Sequence, residues 1–202
     1  HEVGAEAGDQ PAREDLQPLV ARRPEPPDRG AGAAEAEERD RDEQQAAAKA
    51  DHVIALSHFA IDELVECFGV NPNRVSVVYC GVDEEWLEAP DAEAMAATLA
   101  HYKLRPGYFL TVGTLQPRKN VGRLLDAWLT LPKALRDERA LVVVGARGWR
   151  CEALVAQLQA AQANGENVVW LDKLTDAQQL RHLYAGAGVF AFPSLYEGFG
   201  IP

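Results

Sequence analysis

Tyr108-Phe109-Leu110-Thr111-Val112-Gly113-Thr114-Leu115-Gln116-Pro117-Arg118-Lys119-Asn120-Val121-Gly122-Arg123-Leu124-Leu125 is the stretch that decides the fold. An apolar run rich in β-formers predicts a buried strand over 108–112. Gly113 to Lys119 holds the glycine, proline and polar residues of a loop, and Asn120 stands where a helix cap is expected. Val121, Leu124, Leu125, Trp128 and Leu129 then fall on one helical face. Strand, loop and helix follow one another, the unit from which parallel sheets are built.

The same texture repeats on the C-terminal side. Strand 140–144, helix 151–163, strand 168–171, helix 176–185 and strand 188–192 are predicted in turn, with Thr175 and Gln178 spaced as a capping box for the last helix. From 108 onward the order is β-α-β-α-β-α-β, an α/β class chain with a Rossmann-like doubly wound parallel sheet. Ligands bind such sheets at the carboxyl ends of the strands, so the loops 113–120, 145–149, 172–175 and 193–202 are expected to share one edge. Upstream, Val53-Ile54-Ala55-Leu56 reads as a short strand, and Ser57 as the cap of a helix carrying Ile61, Leu64, Val65 and Phe68 on one face. Gly69 ends that helix, Val75 to Tyr79 forms a second strand, and a helix is predicted over 91–102.

Composition narrows the function classes. The chain has 202 residues, 47% of them hydrophobic, which is enough for a substantial core. No run approaches the ~18–20 apolar residues of a membrane span. His1 to Gln10 lack the basic-then-apolar pattern of a secretory leader, and a chain that begins with His is expected to be a piece of a longer protein. The net charge of −11 argues against a nucleic-acid-binding face, which needs clustered cations, but leaves room for a small phosphorylated ligand. Cys67, Cys80 and Cys151 are odd in number and far apart, so they read as free thiols of a cytoplasmic protein rather than a disulfide frame or zinc site. Residues 1–50 carry −6 of the charge, and their large aliphatics are limited to Val3, Leu16, Leu19 and Val20. That segment is expected to be disordered or loosely helical, with helix propensity over 33–50.

Two constellations carry chemistry. Arg118-Lys119-Asn120 sets two cations just before a helix start, where free N–H groups and the helix dipole favour an anion such as a diphosphate. Glu197 stands between aromatics and the glycines Gly198 and Gly200, directly after an apolar strand expected to be buried, an arrangement suited to a ligand pocket. Three other patterns do not qualify. Asp40-Arg41-Asp42 has metal-like spacing but sits in a charge run, Gly145-Ala146-Arg147-Gly148 is too short for a dinucleotide fingerprint, and His58 reads as a helix-start residue.

Together, Val53 to Ser57, Gly81-Val82-Asp83, Val112 to Asn120, Val143-Val144-Gly145, Leu183 to Ala187 and Phe192-Pro193-Ser194-Leu195-Tyr196-Glu197-Gly198-Phe199-Gly200-Ile201-Pro202 resemble group 1, family 4 retaining glycosyltransferases of the GT-B architecture. The resemblance implies transfer of a hexose, with mannose suggested by the Gly113-to-Asn120 form, from a nucleotide-diphosphate sugar to a saccharide or lipid-linked acceptor. Transfer would proceed with retention and without metal or other cofactor, at the cytoplasmic face of a membrane or in the cytoplasm, and with no nucleic-acid partner. It implies a remnant of the acceptor domain and linker over 51–102 and a donor domain over 103–202. By the same resemblance Glu197 is the first glutamate of an E-x7-E pair that reaches the donor sugar, its partner falling past Pro202, so the chain alone is expected to be inactive.

Catalysis is thereby assigned to Glu197 and Lys119, and donor binding to Thr114, Arg118, Lys119, Asn120, Gly145, Lys173, Leu174, Glu197, Gly198, Phe199 and Gly200. Thr114 departs from the arginine that often precedes the clamp lysine by five positions, and Arg118 is the compensating cation. Asp172 stands where relatives often have glycine, and Cys80 where Asn is usual. Thr114 also keeps open a non-catalytic nucleotide-sugar-binding module, and the architecture keeps open a phosphorylase or synthase.

Overall fold

The computed structural model of the chain describes residues 45–201. The charged N-terminal segment, Asp40 and Asp42 lie outside the described residues, apart from a helical stretch over 45–49 that belongs to the predicted 33–50 helix. Among the described residues the strands form two parallel sheets.

In the smaller sheet β1 (Val53–Ala55) and β2 (Val75–Val77) pair in parallel across α1 (Phe59–Phe68). Gly69 ends α1 at φ 64°, a left-handed conformation that costs glycine little, and its N–H donates to Val65 O at 3.2 Å. The predicted cap, Ser57, stands one residue before the observed one. His58 holds that position, while Ser57 Oγ accepts weakly from Ala60 N at 3.3 Å. The ladder of β2 ends at Val77, so Val78 and Tyr79 stand exposed beyond it.

The larger sheet has the order β5-β4-β3-β6, all parallel, from β3 (Tyr108–Val112), β4 (Leu141–Val144), β5 (Val168–Leu171) and β6 (Ala187–Phe190). The helices are α2 (Ala92–His101), α3 (Val121–Leu129), α4 (Lys133–Glu138), α5 (Glu152–Ala163) and α6 (Ala177–Gly186). β4 is buried along its whole length because helices cover both faces, which is why its sequence is a continuous apolar run. Leu141 and Val143 pack with Leu125 and Trp128 of α3 and Val155 and Leu158 of α5. Val142 and Val144 face the opposite layer with Tyr108, Leu110, Leu99 of α2 and Leu183 of α6. Tyr108 is fully buried, and its hydroxyl donates to Leu183 O at 2.6 Å, so this buried donor is satisfied.

Three local expectations are corrected, and one helix was missed. The strand leading to the Glu197 loop is an exposed edge, with Val189 and Phe190 open to solvent, because among the described residues β6 has β3 on one side and no strand on the other. Helix α4 carries no sequence signal: six residues are too few to establish a period. The predicted capping box of α6 is replaced by Asp176, whose Oδ1 accepts from Gln178 N at 2.8 Å and Gln179 N at 3.2 Å. Asn120 adopts φ 54° and makes no side-chain cap for α3.

Candidate functional site

The chain runs from β3 outward to β4 and β5, then returns to add β6 on the other side of β3. Strand order therefore reverses at β3, and the loops after β3 and β6 lie side by side at the carboxyl edge, the position where doubly wound sheets hold ligands.

Gly113 (φ 146°) and Gly145 (φ 156°) make that edge tight. A Cβ on Gly145 would lie 1.9 Å from Gly113 O, and one on Gly113 would meet Lys119 Cε at 3.2 Å. Gly145→Ala is therefore expected to lower unfolding stability by at least about 1–3 kcal/mol, the usual cost of a strained backbone position. An unchanged urea midpoint would contradict this placement.

Pro117–Lys119 form one 3-10 turn, and the left-handed Asn120 redirects the chain into α3. That geometry sends three groups to the β6 loop. Asn120 Nδ2 donates to Pro193 O at 3.1 Å, Arg118 Nη1 donates to Tyr196 O at 2.7 Å, and Leu195 N donates to Arg118 O at 2.9 Å. Lys119 Nζ donates to Glu197 Oε1 at 2.8 Å, while Arg118 pairs with the other carboxylate oxygen. The Lys119 side chain is 11% exposed and that of Glu197 19%, so the pair is shielded from water and weakly screened. Phe192 places its ring 5.2 Å from Lys119 Nζ.

Partial burial by itself would raise the Glu197 pKa. Hydrogen bonds from Lys119 and Arg118, a contribution from Ser194 and the charge of Lys119 outweigh it and hold the carboxyl at about 2, against an ordinary 4.5. Ser194 Oγ is buried and makes no hydrogen bond of regular geometry. A carboxyl whose pKa is lowered by folding contributes stability above its unfolded value and loses it as pH falls through its folded value. The difference in unfolding stability between the wild type and Glu197→Gln is therefore expected to be constant above about pH 4.5 and to shrink toward pH 2. Urea titrations across that window measure it, and a difference that grows with acidity would refute the pairing.

Helix α1 braces the same loop. Ser57 Oγ donates to Gly198 O, Tyr196 hydroxyl donates to Glu63, and the Phe59 and Tyr196 rings lie 5.6 Å apart. Phe199 sits 5.9 Å from Tyr79, and Gly200 takes φ 89°. None of these contacts is visible in the sequence, because each joins residues more than a hundred positions apart. Thr114 faces the β4 loop, where a Cβ on Gly148 would meet its methyl at 2.7 Å. Arg118, Lys119, Asn120 and Glu197 are thus brought together with Gly113 and Gly145. Lys173 and Leu174 follow β5, two strands away, and line a separate cavity of about 360 Å³.

A cation pair and a carboxylate thus meet at the switch point of a doubly wound sheet, the edge where such sheets hold ligands. The family described as Glycosyl transferases group 1 matches residues 84–202, and Glycosyltransferase Family 4 matches residues 29–86. The chain belongs to the group 1 glycosyl transferases.

It is 30% identical over 150 residues to the O-antigen chain mannosyltransferase B of Escherichia coli, covering 74% of this chain and 39% of that protein. It is 32% identical over 169 residues to the D-inositol 3-phosphate glycosyltransferase of Salinispora tropica, covering 78% of this chain and 35% of that one. The chain thus spans less than half the length of these relatives. Among solved structures, Anabaena Alr3699/HepE in complex with UDP-glucose superposes with TM-score 0.67 at 19% identity, covering 82% of this chain and 45% of that one. WaaG, a glycosyltransferase involved in lipopolysaccharide biosynthesis, gives 0.56 at 22% identity over 72% of this chain and 38% of that one. These likenesses fix the fold as that of GT-B glycosyltransferases.

Proposed function

We propose that the protein takes part in retaining transfer of a hexose, mannose in the first instance, from a nucleotide-diphosphate sugar to a saccharide or lipid-linked acceptor. The observation that carries this reading is the meeting of Arg118, Lys119 and Glu197 between the loops after β3 and β6. Breaking a sugar–phosphate bond leaves negative charge on the diphosphate and positive character on the sugar ring. Lys119 and Arg118 meet the first without needing a metal, and Glu197 answers the second. In this structure the carboxylate holds both cations. An arriving diphosphate displaces it, leaving Glu197 free for the hydroxyls of the donor sugar and leaving the cations on the leaving group.

Residues 103–202 act as the donor-binding part and 51–102 as acceptor-side structure and linker. In support, the two sheets are separate and the two family matches meet near residue 85. The mannosyltransferases among the relatives support the choice of sugar. Among the described residues no helix is long and apolar enough to cross a membrane. We place the protein in the cytoplasm, touching a membrane only peripherally; Cys80 and Cys151, which form no disulfide, suit a reducing compartment. Calorimetric titration with nucleoside diphosphates and their hexose conjugates tests the reading. Saturable binding that Lys119→Ala weakens supports it, and absence of binding by all of them overturns it.

A further inference from the structure

From Tyr196 to Phe199 the loop after β6 is held from two sides. On the side of β3 the holds are charged groups. Arg118 Nη1 donates to Tyr196 O at 2.7 Å, and Arg118 and Lys119 pair with the Glu197 carboxylate. On the other side the holds come from α1 and the segments flanking the small sheet. Tyr196 hydroxyl donates to the Glu63 carboxylate, with the Phe59 ring 5.6 Å from the Tyr196 ring. Ser57 Oγ donates to Gly198 O, and Tyr79 lies 5.9 Å from Phe199. Neighbouring side chains are thus pulled apart: Tyr196 reaches α1 while Glu197 reaches the cations.

The two sides respond differently to an anion. A diphosphate competes for the guanidinium and the ammonium, so it removes the charged holds on Tyr196 and Glu197 together. Asn120 Nδ2 on Pro193 O and the bond from Leu195 N to Arg118 O survive, but they fix only the start of the loop. Ser57, Phe59, Glu63 and Tyr79 carry no cation, so a diphosphate leaves their contacts intact.

We infer that Glu63, with Ser57, is a positioning residue for Glu197: acting through Tyr196 and Gly198, it keeps the carboxylate at the cation pair before a diphosphate arrives and beside the donor sugar afterwards. This rests on the nucleotide-sugar reading of the site. A tethered carboxylate has a high effective concentration at Lys119 and Arg118, so it competes with an added anion more strongly than a loose one. Once displaced, the same tether keeps Glu197 from swinging out into water. The contact from Tyr196 is a charge-assisted hydrogen bond, the stronger kind, which suits it to that task.

Calorimetric titration of the chain with inorganic diphosphate tests the first effect. Glu63→Ala and Tyr196→Phe are each expected to raise the affinity about two- to tenfold, the weight of one hydrogen bond, whereas a variant that merely loosens the fold lowers it. Glu63→Gln keeps an acceptor for the hydroxyl and is expected to raise it less, which separates the contact from the loss of charge. In Glu197→Ala no carboxylate is left to compete, and Glu63→Ala is expected to change nothing further. The second effect is read in the longer protein of which this chain is expected to be a piece, where Glu63→Ala is expected to lower kcat for hexose transfer by a similar factor without raising KM. An affinity that stays level or falls in Glu63→Ala and Tyr196→Phe, a rise that persists in Glu197→Ala, or an unchanged kcat overturns the inference and leaves the nucleotide-sugar reading standing. Failure of the wild-type chain to bind inorganic diphosphate also overturns it, and if nucleoside diphosphates fail as well, the reading of the site falls with it.

Discussion

Glu197→Ala is expected to reduce hexose transfer about 10²–10³-fold, the scale of losing one preorganised charge-stabilising group from a reacting centre. Because the chain alone is expected to be inactive, the measurement is transfer of radiolabelled hexose from its nucleotide-diphosphate conjugate to a saccharide acceptor by the longer protein of which this chain is expected to be a piece. The same substitution acts in the opposite direction on simple binding. It removes the carboxylate that occupies Lys119 at 2.8 Å and also pairs with Arg118. The affinity for inorganic diphosphate is therefore expected to rise while turnover collapses. Lys119→Ala lowers both. Because the two side chains share one ion pair, their combined effect on binding is expected to be non-additive, with a coupling of about 0.5–3 kcal/mol. Retained transfer in Glu197→Ala would place the reacting centre elsewhere.

Leu158→Ala is expected to remove about 2–5 kcal/mol of stability, a large share of the roughly 5–15 kcal/mol that holds a typical domain. Leu158 is fully buried on α5, in the layer that joins Leu125 and Trp128 of α3 to Leu141 and Val143 of β4. Truncation leaves a cavity among stiff β-branched neighbours, with little freedom to collapse. Urea unfolding followed by circular dichroism measures the loss, and a cost under about 1 kcal/mol would contradict the burial of this face.

The difference between these two positions reflects how much each owes to local sequence. Leu158 was legible as one of several apolar residues in a helical segment. The strand limits of β3 and β5 were likewise legible, since buried parallel strands are bounded apolar runs. Where the reading failed, a longer-range partner decided. Asn120 looked like a cap, but its side chain spans to Pro193 and its backbone takes the left-handed turn that aims Lys119 at the loop after β6. Asp176 displaced Thr175 as the cap of α6, a competition between two neighbouring acceptors that spacing alone cannot settle. The strand before Glu197 looked buried because it is apolar, yet an edge strand with nothing beyond it stays open.

The candidate site divides in the same way. Glu197 among its glycines and Lys119 beside Arg118 could each be picked out by residue type. Their pairing could not, since 78 positions separate them. Asp172 was visible only as an unusual residue; its place in the lining of a cavity is a tertiary fact.

By itself the sequence determined the alternation of strands and helices, the parallel sheet that this alternation requires, and the two loops that carry charge. Those properties follow from local periodicity and from turn chemistry, which act over a few residues. Only the tertiary structure decided that β6 returns to the side of β3 away from β4. That reversal sets two loops 78 positions apart edge to edge, and it turns a cation pair and a lone acid into one shielded ion pair. The physical reason is that the order of strands in a sheet depends on how the helical layers close over both faces, and no short window of sequence contains that information.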